Sequence, residues 1–132
     1  MRRRRRSFYS VFLIRGKRED KVIDMVSFDD FKRFDIKIGE VISAERVPDT
    51  DKLIKLMVDV GEEENRQIIS GIAEYTEPEA LVGRKFPFIV NLEPRVIRGF
   101  ESNGMILAVS SDNGTFSFLE PTSNVSVGSA VR

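Results

Sequence analysis

The chain has 132 residues, 41% of them hydrophobic with ten Phe, and a formal net charge of zero. Those figures suit one compact domain with a real core, and no apolar run nears the roughly 18 residues of a membrane span. The absence of Cys and His removes disulfides, thiolate metal sites, Ser–His or Cys–His nucleophiles and the commonest general base, so binding is favoured over catalysis. No catalytic residue, metal ligand or cofactor is expected, and the missing Cys fits a cytoplasmic setting.

The zero net charge is unevenly spread. Residues 1–24 hold nine Lys/Arg, among them Arg2 to Arg6, against three acidic residues, a net of +6, which leaves −6 for the remainder. The short apolar run Phe8 to Ile14 behind the arginines allows a targeting signal, and the arginines themselves allow a basic arm for nucleic acid. The reading favoured here is that the domain begins at Met25 with "MVSFDDFKRFD". Residues 1–24 are then an extension, disordered or a start-site artefact, beside a domain of residues 25–132. Because that domain is acidic, any polyanion must be met by a local patch.

"SFDDF" predicts one helical turn capped by Ser27. "FDIKIGEVISAERV" alternates as a half-buried strand that bends or bulges at Gly39. "PDTDK" is a turn, "LIKLMVDVG" a second strand, "GEEEN" the next turn and "RQIISGI" a third strand. "TEPEALVG" holds a helical turn before a fourth strand, "KFPFIVNL". A fifth, "GMILAVSS", follows the stretch Asn91 to Met105, and "SDNG" then signals a hairpin into "TFSFLEP". At the C-terminus "VSVGSAV" alternates again, as part of a subunit interface or as a closing strand. The pattern predicts an all-β fold, a five-stranded OB-fold barrel with a short helical turn between strands three and four and extra terminal strands.

Seven pieces of the chain, "FDIKIGEV", "PDTDKL", "VDVG", "IISGI", "LVGRK", "NLEPRVIRG" and "SNGMILA", carry a resemblance in order and spacing over about 100 residues. Residues 28–132 resemble the tRNA-binding domain family. Its members include stand-alone proteins, domains appended to methionyl-tRNA synthetases and endothelial monocyte-activating polypeptide. The resemblance implies a non-catalytic, shape-selective tRNA-binding protein, homodimeric and serving a methionyl-tRNA synthetase in trans. CsaA-like chaperones share the fold and many motifs, so a module binding unfolded polypeptide is the alternative.

"NLEPRVIRGFESNGM", read as a loop across the open barrel face, presents Arg95 and Arg98 to phosphates. Asn91, Ser102 and Asn103 suit base edges or ribose hydroxyls. Met105 offers a soft apolar surface to a base, with a core position as its alternative. Lys52 and the pair Arg84–Lys85 extend the basic track, the pair having a plain solvated role as its alternative. Asn91 has a backbone cap as its alternative, and Ser70 of "IISGI" matches the family's Ser-Gly. The chain departs from many members at Val47-Pro48, where they carry His-Pro, and at Asn103, where they carry Gln or Glu.

Overall fold

The computed structural model describes residues 24–132. The extension assigned to residues 1–24 therefore lies, Asp24 apart, outside the described residues. The chain divides into a unit ending at Phe31 and a unit from Lys32 to Arg132. In the first, α1 (Phe28–Phe31) is the expected turn. The Ser27 hydroxyl accepts the Asp30 N–H at 3.0 Å, satisfying one donor that a helix start leaves orphaned.

The second unit is built on β1 (Ile36–Arg46), β2 (Ile54–Asp59), β3 (Arg66–Ser70) and β4 (Lys85–Ile89), followed by β5 (Arg95–Ile97), β6 (Phe100–Ser102), β7 (Met105–Ile106), β8 (Ala108–Ser110) and β9 (Phe116–Phe118). One antiparallel sheet runs β3-β2-β1-β4-β7, with β5-β6 and β8-β9 as separate hairpins. Period-two alternation puts Ile54, Leu56 and Val58 wholly inside, each burial being worth roughly 1.5–3 kcal/mol. Phe86 and Phe88 fill the centre from β4, and Leu81, from a 3₁₀ turn at Pro78–Leu81, is fully buried beneath them. That turn occupies the predicted slot between the third and fourth strands.

The long β1 makes the barrel. Its first half, Ile36 to Glu40, pairs with β4, and its second half, from Glu40 to Arg46, pairs with β2. The bend expected at Gly39 falls instead at a bulge between Val41 and Ser43. Gly39 has another duty: a Cβ there would stand 2.7 Å from a Val58 methyl and 2.9 Å from one of Val60. Its missing side chain lets the strands close on each other.

On the far side, β3 and the run into β7 nearly close the cylinder without a full ladder. The Asn103 N–H donates to the Gln67 carbonyl at 2.8 Å. The Ile69 N–H donates to the Ser102 hydroxyl at 3.0 Å. The predicted fifth strand is split, because β7 stays in the barrel while the Ser111–Gly114 turn commits β8 to β9. Phe116 of that hairpin stacks on Tyr75 at 4.2 Å. The C-terminal run pairs with the half of β1 that β2 leaves bare: Gly128 donates to Ile38, and Val131 to Ile36. Among the described residues no helix is long and apolar enough to cross a membrane.

Candidate nucleic-acid interface

The stretch Asn91 to Met105 proves to be a hairpin rather than an open loop. Arg95 pairs with Ser102, Val96 with Glu101 and Ile97 with Phe100, leaving Arg98-Gly99 as a two-residue turn. Both sit at positive φ, 54° and 84°, as the favoured type I′ connection requires. Arg98 is thereby lifted to the tip of a ribbon. The hairpin folds back over the outside of the barrel, where the Lys55 ammonium lies 5.0 Å over the Phe100 ring. The Gln67 side chain holds the Glu101 carbonyl at 2.9 Å.

Its base is fixed by a residue that the sequence does not single out. The Arg66 guanidinium donates to the carbonyls of Val90 and Asn103 at 2.8 and 2.9 Å, tying together the two stems from which the hairpin rises. Two further bonds, 2.9 and 3.0 Å, run from Arg66 to the Glu62 carboxylate. Those bonds, ahead of simple charge attraction, hold Glu62 below its ordinary pKa and raise that of Arg66. A bidentate fork is the geometry only arginine supplies.

Opposite the tip stands the β1–β2 loop, residues 47–53. A cleft of about 530 Å³ opens between them, lined by Thr50, Asp51, Lys52, Leu53, Ile97 and Arg98. In barrels of this architecture the loops joining strands one to two and four to five flank the usual oligomer-binding face, and these are the two loops here. A smaller pocket of about 70 Å³ lies on the other side of Ile97, bounded among others by Leu92, Arg95, Ser102 and Met105.

The candidate residues therefore separate. Lys52 and Arg98, on the two different loops, both line the cleft, while Arg95, Ser102 and Met105 border the pocket. Met105 is 44% exposed, on the surface rather than in the core. Ser102 is buried, its hydroxyl taken by the Ile69 N–H and the Gly104 carbonyl. Asn91 is exposed but spent on backbone, accepting from the Asp35 N–H at 2.8 Å and donating to the Arg33 carbonyl at 2.7 Å. Asn103 is half-buried with its backbone engaged, and Ser70 is half-buried opposite Ile54, beside the barrel gap.

Arg84 and Lys85 stand at the opposite end of β4 from Asn91. Arg84 grips Glu120 at 3.0 Å and lies 5.1 Å over the Phe86 ring, and the same pairing lowers the Glu120 pKa. Lys85 donates to Asn124 and to the Val125 carbonyl. Both fasten the C-terminal segment and are remote from the cleft. Thr50, Asp51, Ile97 and Leu92 also line the cleft or the pocket, and the string does not mark them. Asp51 stands beside Lys52 in the same turn, but nothing in the string shows that this turn faces Arg98.

Residues 36–130 match a family described as "Putative tRNA binding domain". Over 109 residues the chain is 42% identical to a methionine–tRNA ligase of Methanococcoides burtonii, covering 83% of this chain and 16% of that enzyme. The chain thus spans about one sixth of the length of such relatives. A solved MetRS related protein from Pyrococcus horikoshii superposes with a TM-score of 0.79 at 40% identity, over 83% of this chain and 100% of that one. The chaperone CsaA of Bacillus anthracis superposes at 0.74 with 30% identity, again over 83% and 100%.

Proposed function

The chain belongs to the tRNA-binding domain family, and from that premise we propose that it is a non-catalytic module that binds tRNA by shape. The observation that carries this reading is the cleft, with Lys52 on one loop and Arg98 on the other. Neither side chain makes a hydrogen bond or ion pair with another described residue. Charges held out of pairing are free for phosphates, and a local pair suits a body whose own net charge is negative. The likeness to methionine–tRNA ligases supports service to a methionyl synthetase in trans. Arg95, at the neighbouring pocket, extends the phosphate track in this reading.

The Leu92, Ile97 and Met105 lining of the smaller pocket and the likeness to a CsaA chaperone support a second reading, capture of unfolded polypeptide. Titration of total tRNA into the full chain, with a permanently unfolded polypeptide as competitor, decides between them. Saturable tRNA binding that the polypeptide does not displace is expected. Saturable binding of polypeptide but not of tRNA overturns the order.

A further inference from the structure

The cleft carries more chemistry than a phosphate track uses. Its volume of about 530 Å³ falls within the roughly 300–1,000 Å³ of small-molecule sites. Leu53 and Ile97 give its lining apolar surface, Lys52 and Arg98 give it positive charge, and Asp51 adds an acidic residue to the same lining. Asp51, like the two cations, makes no side-chain hydrogen bond or ion pair with another described residue. A carboxylate at that place repels a bare anion. It helps only a ligand that carries hydrogen-bond donors beside its negative charge. A ribonucleotide is such a ligand, with a phosphate, amino or imino hydrogens on the base, and a ribose 2′-hydroxyl.

The backbone shows that both loops are held in place. Among the described residues the non-glycine positions at positive φ are Asp49, at 63°, and Arg98, at 54°. They stand on the two loops that face each other across the cleft. Such conformations persist where the surroundings enforce them, at Arg98 through the type I′ turn. Here the surroundings are visible. In the first loop the Val47 N–H donates to the Leu53 carbonyl at 3.0 Å and the Ala73 N–H to the Lys52 carbonyl at 2.9 Å. The Thr50 hydroxyl donates to the Val47 carbonyl at 3.0 Å. The second wall is the hairpin that Arg66 braces. Both walls are set before a ligand arrives, which spares ordering cost on binding.

We propose that this cleft takes one unstacked ribonucleotide of the bound RNA. Its phosphate lies between Lys52 and Arg98, its base rests on Leu53 and Ile97, and one of its donors meets the Asp51 carboxylate. The proposal rests on the tRNA-binding reading and deepens it, since it assigns the cleft to a loop or end of the RNA rather than to a duplex arm. Stacked and paired bases cannot enter such a site.

The test uses the full chain and a short single-stranded RNA with 2-aminopurine at its centre, whose fluorescence reports loss of stacking, with total tRNA titrated in parallel. Wild type is expected to bind the oligonucleotide saturably, and tRNA is expected to displace it. Asp51→Ala is expected to weaken the oligonucleotide roughly tenfold, as loss of a charge-assisted hydrogen bond does, with an unchanged melt. Asp51→Asn, which keeps one acceptor oxygen, is expected to fall between the two. Unchanged or tighter binding by Asp51→Ala overturns the proposal, because that is what a phosphate-only track gives. Equal competition by a short RNA duplex, or displacement by unfolded polypeptide, overturns it as well. Binding of tRNA without the oligonucleotide refutes the cleft assignment and leaves the tRNA reading standing. Binding of neither refutes both.

Discussion

Arg98 holds a left-handed backbone at φ 54°, which costs a non-glycine residue about 1 kcal/mol. Glycine takes the same turn without that cost. Arg98→Gly therefore removes one cation and relieves strain together. Its melting temperature is expected to stay level or rise by a few degrees, while tRNA affinity falls by about 1–3 kcal/mol, the range for a charge-assisted hydrogen bond. A thermal melt and a titration on the same sample check both. Ser102 makes the contrast. Ser102→Ala strands the buried Ile69 N–H and is expected to cost about 1–3 kcal/mol of stability in a denaturant melt. These two roles look alike in the string: both are polar residues in a Gly-rich stretch. What separates them is their place on a short ribbon, Arg98 in the turn at its tip and Ser102 at its base, and the string suggests a loop there rather than a ribbon.

At the scale of elements, the barrel is legible because burial enforces alternation. Ile54, Leu56 and Val58 declare β2, and the "TEPEAL" turn and the "SDNG" hairpin carry their own local chemistry. The β5–β6 hairpin is not legible, since Arg-Gly is a weak signal beside the usual Asn-Gly and its strands are half exposed. The bend of β1 lies away from Gly39 because that glycine serves close packing and not the turn. Arg66 is invisible for a different reason: its partners, Val90 and Asn103, are 24 and 37 residues away. Its place predicts a separable effect. Arg66→Met loosens the hairpin without removing a phosphate ligand, so tRNA affinity should fall while the slope of log affinity against log salt stays at the wild-type value. A salt series on this variant checks it, and a shallower slope would make Arg66 a direct phosphate ligand.

Two surface ion pairs among the described residues add a modest acid dependence. Arg66 and Arg84 depress the carboxyls of Glu62 and Glu120 below their ordinary 4.5 through side-chain hydrogen bonds. A depressed folded-state pKa means stability that is present above the unfolded value and lost as pH falls through the folded one. The melting temperature should therefore hold down to about pH 5 and drop below about pH 4.5, with a smaller drop in a Glu62→Gln Glu120→Gln variant. Melts across that window check it. A homodimer is the assembly we propose, because a single module offers on the order of 600–1,000 Å² to nucleic acid. Ile42 and Val82 add exposed apolar surface, at 45% and 48%. Light scattering at micromolar concentration should give twice the chain mass. Binding of tRNA between the β1–β2 loop and the hairpin tip, as we propose, is tested by a salt series of tRNA titrations on wild type and on Lys52→Ala Arg98→Gly. Wild type is expected to bind saturably and the double variant more weakly, with a slope shallower by about one unit for each phosphate no longer neutralised. Equal affinity and equal slope in the two proteins would contradict it.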